Sequence, residues 1–112
     1  MTPSYMAEQL LAQRLERIAS PTLYIAGFKT QSGRELALER KRNTGIFLWT
    51  EQVYGEVPAQ FSGGCVVYAP LKPRNSNLNG KNAPRLKLGN SVSYWRLQLE
   101  FLSAFLDWYC KQ

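Results

Sequence analysis

The sequence predicts an α+β domain: an N-terminal helix, an antiparallel meander sheet of three to five strands, and a C-terminal helix packed on the sheet. Three observations predict it: apolar residues at helical spacing near each terminus, β-branched and aromatic runs between them, and short polar or glycine-containing segments separating those runs. We expect both helices on the apolar face of the sheet. A chain of 112 residues, 45% of them hydrophobic, is long enough for a single compact domain over residues 1–112.

Residues 3–19 are predicted to form the first helix. Thr2 is a suitable N-cap, and Pro3 is favourable at the first helical position. Ser20 precedes Pro21, and a residue before proline avoids the helical region, so we expect the helix to end there. Its apolar face is expected to contain Met6, Leu10, Leu11, Leu15 and Ile18.

Strands are predicted where β-branched and aromatic residues concentrate. The first three should form the meander, with Asn43-Thr44-Gly45 as a short hairpin connection, because Asn and Gly tolerate positive φ. The apolar run at residues 65–69 is expected to be a central strand. A short fifth strand is expected at residues 86–88. The four main predicted strands are residues 22–29, 35–42, 46–53 and 65–69.

Residues 70–85 have the composition of a loop, with three prolines, four asparagines and four cations. Such a loop is either a solvated connection or a functional segment. A second helix is predicted from about Ser91, although Val92 and Tyr94 would also suit a strand. We favour the helix because no capping residue lies between Trp95 and Glu100. Any apolar part of this helix left exposed would be a homodimer or partner surface.

Positive charge is concentrated in one part of the chain. No acidic residue lies between Val57 and Leu99, and this window accounts for the net charge of +6. A field of one sign attracts anionic partners, most commonly nucleic acid and next an acidic protein surface. The six cations in the window are Lys72, Arg74, Lys81, Arg85, Lys87 and Arg96.

Several classes of function are excluded by composition. The chain has no histidine, which removes Ser-His and Cys-His nucleophiles, and its two cysteines are too few for a structural zinc site. We therefore expect no metal, no cofactor and no catalytic residues. The absence of a signal peptide and of a membrane-spanning apolar run predicts a cytoplasmic protein that does not contact a membrane, with Cys65 and Cys110 reduced unless they pair.

The leading hypothesis is a small non-catalytic nucleic-acid-binding module, with DNA favoured over RNA. It would use a basic hairpin tip and an Arg/Asn/Lys-rich loop, because phosphates require cations that project together. Asn75, Asn77 and Asn79 are candidates for base contacts, since an amide presents a donor and an acceptor together. The remaining predicted site residues are Arg40, Lys41, Arg42, Asn43, Lys72, Arg74, Lys81, Arg85 and Lys87.

Three alternatives stay open. The same cations would suit an adaptor or inhibitor that docks an acidic protein. The Glu39-Arg40-Lys41 segment has the Glu-x-Lys form of magnesium-dependent nucleases, with Glu51 as the acid that could face Glu39. Finally, aromatic residues interleave with the cations and would stack single-stranded bases if exposed, or form core if buried. These aromatic residues are Phe47, Trp49, Tyr68, Tyr94 and Trp95.

Overall fold

Six antiparallel strands form a single sheet in the computed structural model, which describes residues 2–112. The strands lie side by side in the order β1-β2-β3-β4-β6-β5. They are β1 (Glu16–Arg17), β2 (Ile25–Lys29), β3 (Glu35–Glu39), β4 (Ile46–Glu51), β5 (Cys65–Tyr68) and β6 (Val92–Leu97). The helices are α1 (Pro3–Arg14), α2 (Ala59–Ser62) and α3 (Leu99–Tyr109). The predicted α+β class is confirmed, with six strands rather than three to five.

Both long helices cover the same face of the sheet, which we call the helical face. Alternate residues of the strands point toward them because side chains along a strand alternate between faces. Leu11 of α1 and Phe105 of α3 are completely buried there with Phe28, Leu48 and Trp95. The Trp95 and Phe105 rings meet edge to face with centroids 4.9 Å apart. The expected packing of both helices on the apolar face is therefore confirmed.

Helix α1 ends five residues earlier than predicted. Leu15 leaves it with φ −123° and ψ 163°, an extended conformation. The chain can then add β1 to the sheet, where Glu16 lies opposite Lys29 and Arg17 opposite Phe28. The predicted N-cap is confirmed, since Thr2 accepts a hydrogen bond from the backbone N–H of the first turn.

The buried face of α1 also differs from the predicted apolar stripe. Met6 is 45% exposed, whereas Glu8 is 7% exposed. Burial of this carboxylate is offset by two arginines: Arg40 Nε lies 2.7 Å from one oxygen of Glu8, and Arg17 Nη2 lies 3.1 Å from the other. A paired and hydrogen-bonded carboxylate can be buried where a lone one cannot.

Strands β2, β3 and β4 form the predicted meander. The hairpin connection between β3 and β4 is longer than expected, since both strands are shorter and residues 40–45 connect them. Neither Asn43 nor Gly45 has a positive φ; among residues 2–112, only Gly33, Gly55 and Gly89 do.

Residues 92–97 form strand β6 rather than the first turns of a helix, which corrects the predicted helix start. Tyr94 lies directly opposite Trp49 of β4, and Trp95 lies opposite Leu48. These cross-strand pairs satisfy the alternating pattern that the helical prediction set aside. Helix α3 begins only at Leu99.

Strand β5 is an edge strand, so its predicted central position is wrong. It pairs with β6 alone, because β6 lies between it and β4. Val66 is 49% exposed and Val67 52% exposed, which an inner strand would not allow.

The other face of the sheet is covered by residues 70–91, which we call the covering loop. Leu78, Ala83 and Leu86 of this segment are buried against Trp49 and neighbouring side chains of the sheet. The loop is thus a packed layer rather than a solvated connection, and the strand predicted at residues 86–88 does not form. Gly27 of β2 makes this close packing possible: a Cβ built there would lie 1.9 Å from the Asn82 carbonyl oxygen.

The apolar residues of α3 are used mainly inside the chain. Leu102, Phe105, Leu106 and Tyr109 are completely buried, whereas Phe101 is 36% exposed. Little of the predicted dimer surface therefore lies on this helix. Within residues 2–112, no helix is both long enough and apolar enough to cross a membrane.

Both cysteines are free and partly buried, so the possible pairing is not formed. Burial raises the pKa of the Cys65 thiol, and it also raises that of Cys110. Neither thiol is therefore activated as a nucleophile.

Candidate functional site

A buried carboxylate at the end of β3 connects the hairpin, the sheet and the covering loop. Alternation along β3 places Glu39 on the face opposite the helices, where it is 7% exposed. One of its oxygens accepts hydrogen bonds from Arg42 Nε and the Tyr94 hydroxyl, each at 2.9 Å. The other oxygen accepts from Trp49 Nε1 and Asn75 Nδ2, also at 2.9 Å. Four donors from four segments therefore hold this carboxylate.

These hydrogen bonds keep Glu39 ionised. Burial by itself would raise the pKa of Glu39, but the bonds from Asn75, Trp49, Arg42 and Tyr94 outweigh burial and lower the pKa below its ordinary value. Burial and the nearby carboxylate raise the pKa of Tyr94, so its hydroxyl stays a donor. The site is therefore a fixed anion whose charge is used to organise the surrounding side chains.

An aromatic cluster lies beside Glu39 on the same face. Trp49 and Tyr94 occupy opposite positions on β4 and β6, and their ring centroids are 4.2 Å apart. Phe47 lies 6.0 Å from Tyr94, and Tyr68 lies 5.0 Å from Trp49 in an edge-on arrangement. Three strands thus contribute rings to one contiguous patch. Tyr68 and Tyr94 are only half-buried, whereas Trp49 is 3% exposed.

Cations lie over these rings. The guanidinium carbon of Arg42 is 4.4 Å from the centroid of Phe47, and that of Arg96 is 5.7 Å away. The ammonium nitrogen of Lys72 is 4.4 Å from the centroid of Tyr68. Cation–π attraction orients these exposed side chains around the cluster.

Together these residues enclose an open cavity of about 410 Å³, which we call the aromatic cleft. A smaller cavity of about 190 Å³ shares Glu39, Arg42 and Asn75 with it and continues toward the hairpin. Lys41, Asn77 and Tyr24 also line this second cavity. The aromatic cleft is lined by Glu39, Arg42, Trp49, Tyr68, Pro73, Arg74, Asn75 and Tyr94.

Arg74 lines the cleft and also holds the covering loop in shape. Its guanidinium donates to backbone carbonyls on both sides of the loop, among them Ala69 at 2.8 Å and Asn90 at 2.6 Å. Further bonds reach the carbonyls of Pro70 and Leu86. No carboxylate among residues 2–112 forms an ion pair with Arg74, so its charge still contributes to the local field.

Some predicted phosphate ligands lie away from the cleft. Arg40 turns back to Glu8 and to the Thr22 carbonyl, so it braces the hairpin against α1. Arg85 forms an ion pair with Glu51 at 2.8 Å, at the opposite end of β3 and β4. Lys81, Lys87 and Asn43 are exposed and do not line the aromatic cleft.

The predicted base-contacting asparagines fold the loop on itself. Asn75 Oδ1 accepts from the backbone N–H of Asn77 at 2.9 Å and from the Asn77 side-chain amide at 3.1 Å. Asn79 Oδ1 accepts from the N–H groups of Lys81 and Asn82. Their observed role is to stabilise tight turns, and any base contact would compete with these bonds.

The carboxylate pair considered for a nuclease is not formed. Glu51 lies across from Glu35 rather than Glu39, because Leu36 pairs with Thr50 in the register of β3 and β4. Both oxygens of Glu39 are occupied by neutral or cationic donors. Over residues 2–112, no cluster of three or more His, Cys, Asp or Glu side chains is arranged to hold a metal ion.

Sequence reasoning missed Arg96, Tyr68 and Tyr94 as parts of the site. Alternation in the segment Val92–Leu97 would have placed Tyr94 and Arg96 on one face, had the strand been preferred there. Comparisons of this chain with protein-family models, with curated proteins and with solved structures found no match.

Proposed function

We propose that this protein is a non-catalytic nucleic-acid-binding module whose phosphate contacts surround the aromatic cleft. The observation that carries the proposal is the convergence of cations from three separate segments. Lys41 and Arg42 come from the hairpin, Lys72 from the covering loop and Arg96 from β6, and all four are exposed. Cations that project together from a rigid support are what phosphate neutralisation requires.

The distribution of ion pairs supports this location. Elsewhere, arginines are matched by carboxylates, as in the pairs of Arg14 with Asp107 and Arg85 with Glu51. Around the cleft, Glu39 is the one carboxylate and its partner is Arg42. Ion pairs with a carboxylate are absent, within the described part of the chain, for Lys41, Lys72, Arg74 and Arg96. Positive potential is therefore least compensated at this surface.

The test is a fluorescence-anisotropy titration of labelled DNA and RNA oligonucleotides at several salt concentrations. We expect log K to fall linearly with log salt concentration. A Lys41→Ala/Lys72→Ala/Arg96→Ala variant should bind more weakly, with a slope smaller in magnitude by about two, since each phosphate contributes about 0.7 to 0.9.

The matched control removes the same charge elsewhere. Lys81, Lys87 and Lys111 are exposed, form no ion pair among residues 2–112 and do not line the cleft. A Lys81→Ala/Lys87→Ala/Lys111→Ala variant should keep most of the affinity. Equal losses in both variants would mean that net charge alone drives binding. No binding by the wild type at low salt would refute the proposal.

An acidic protein partner is the second candidate, and the free edge of β5 favours it. Val66 and Val67 are half-exposed on a strand that pairs on one side only. Such an edge can accept an additional strand from a partner, whose acidic side chains could reach the cations around the cleft. A protein complex would show a smaller salt slope and a few dominant contact residues.

A further inference from the structure

We infer that the aromatic cleft selects single-stranded over duplex nucleic acid by stacking one unpaired base on the ring of Tyr68. This inference rests on the proposed nucleic-acid function and specifies the form of nucleic acid that the site accepts. It follows from three features: the direction of the hairpin cations, the geometry of the Tyr68 ring, and the internal bonding of the polar groups in the cleft.

The hairpin is poorly arranged to read a duplex groove. A two-stranded ribbon that enters a groove needs side chains that project beyond its tip. Arg40 instead points back to Glu8, and Arg42 points back to Glu39. The cations therefore face the concave aromatic cleft, which suits a flexible strand better than a rigid cylinder.

Tyr68 is the ring with a face available for stacking. The Tyr94 ring lies between Phe47 and Trp49, tilted 30° and 34° to them, so its two faces are occupied. Tyr68 stands at 75° to both Trp49 and Tyr94. Its face is covered only by the ammonium group of exposed Lys72, 4.4 Å from the ring centroid.

A base could replace that ammonium group without breaking the fold. Lys72 has a long, flexible side chain and no carboxylate partner among residues 2–112, so it can turn toward a phosphate of the bound strand. Stacking an unpaired base on an aromatic ring while basic side chains contact the backbone is the usual mode of single-strand binding. A duplex cannot supply the base without unpairing it.

The polar groups of the cleft predict weak sequence preference. Glu39 accepts four hydrogen bonds, Asn75 is bonded through both its oxygen and its nitrogen, and Arg74 donates to several carbonyls. Reading a base edge would require breaking these bonds. The ring face of Tyr68 and the cations remain for binding, and they do not distinguish one base from another.

The experiment compares single-stranded and duplex oligonucleotides of equal length, each with wild type, Tyr68→Ala and Tyr68→Phe. We expect the wild type to prefer the single strand by about tenfold or more. Tyr68→Ala should lose about tenfold in single-strand affinity, with little change for the duplex, whereas Tyr68→Phe should bind like wild type because the ring is kept. Homopolymers of different bases should bind within a few fold of one another.

Contact at Tyr68 is tested directly by photocrosslinking a 5-iodouracil-substituted single strand and mapping the modified peptide by mass spectrometry. A crosslink at Tyr68 supports the inference and does not depend on whether Tyr68→Ala folds. If the wild type binds duplex as tightly as single strand and the crosslink lies elsewhere, the inference is wrong while the proposed function stands. If neither form of nucleic acid binds, both fail.

Discussion

Tyr109 of α3 joins the edges of two neighbouring strands through one hydroxyl group. That hydroxyl donates a hydrogen bond of 2.6 Å to the Glu35 carbonyl oxygen and accepts one of 3.2 Å from the Glu51 backbone N–H. The side chain is completely buried. The terminal helix is therefore fixed to β3 and β4 by polar contacts as well as by apolar packing.

Replacing this hydroxyl should destabilise the protein. Tyr109→Phe leaves a buried carbonyl and a buried N–H without partners, and each such group costs about 1–3 kcal/mol. We expect a loss of at least about 1 kcal/mol in the free energy of unfolding, measured by urea denaturation. Tyr54→Phe, at a side chain that is 80% exposed, is the control and should change little. Equal stabilities of the two variants would contradict the role given to Tyr109.

Stability should decrease in acid through Glu39. Because the folded-state pKa of Glu39 is lowered, the unfolded chain binds its proton first as pH falls. The stabilisation is fully present above the unfolded value of about 4.3 and is lost as pH falls through the lower folded pKa. Glu39→Gln should be less stable than wild type at pH 7, and the difference should shrink as pH falls below about 4. A difference that is constant with pH would show that the charge of Glu39 is unimportant.

Glu35 provides a comparison of opposite sign. Burial and the nearby Glu51 raise its pKa, although hydrogen bonding and charge from Arg85 partly offset them. Its contribution therefore favours folding at low pH and decreases as pH rises through the folded pKa. Urea denaturation of Glu35→Gln between pH 3 and 7 should show a steeper loss of stability in acid than wild type, whereas Glu39→Gln should show a shallower one.

The fold was predictable where the signals were local. The N-cap at Thr2 and the meander of β2 to β4 follow from residue types close in sequence. Strand β6 was not, because its segment fits both periodicities and the decision depends on pairing with β4, more than forty residues earlier. The edge position of β5 likewise depends on where β6 inserts, which no short pattern contains.

The candidate site was predictable in its charge but not in its membership. The acid-free window identified a basic surface, yet it could not show which cations are already engaged. Arg40 is paired with Glu8 at a distance of 32 positions, and Arg74 is bonded to carbonyls, which carry no sequence signature. Arg96 was overlooked as a contact because its segment was assigned to a helix.

Gly27 should be intolerant of a side chain. A Cβ at this position would lie 1.9 Å from the Asn82 carbonyl oxygen, so β2 and the covering loop would have to separate. We expect Gly27→Ala to destabilise by about 1–3 kcal/mol or more, as overpacking of a rigid site does. Gly63→Ala is the control, because nothing lies within 4 Å of a Cβ built there. Thermal unfolding of both variants measures the effect, and equal stabilities would mean that the loop does not pack against β2.

Arg74→Lys should separate the structural role of Arg74 from phosphate binding. Lysine keeps the charge but cannot reproduce the planar donor geometry that reaches carbonyls on both sides of the loop. We expect faster amide hydrogen exchange in residues 69–90 and lower stability, with single-strand affinity reduced because Asn75 and Lys72 lose their positions. Lys87→Arg, which keeps the charge of an exposed loop residue, should change neither. If Arg74→Lys kept wild-type exchange but lost affinity, Arg74 would instead contact the ligand directly through its guanidinium.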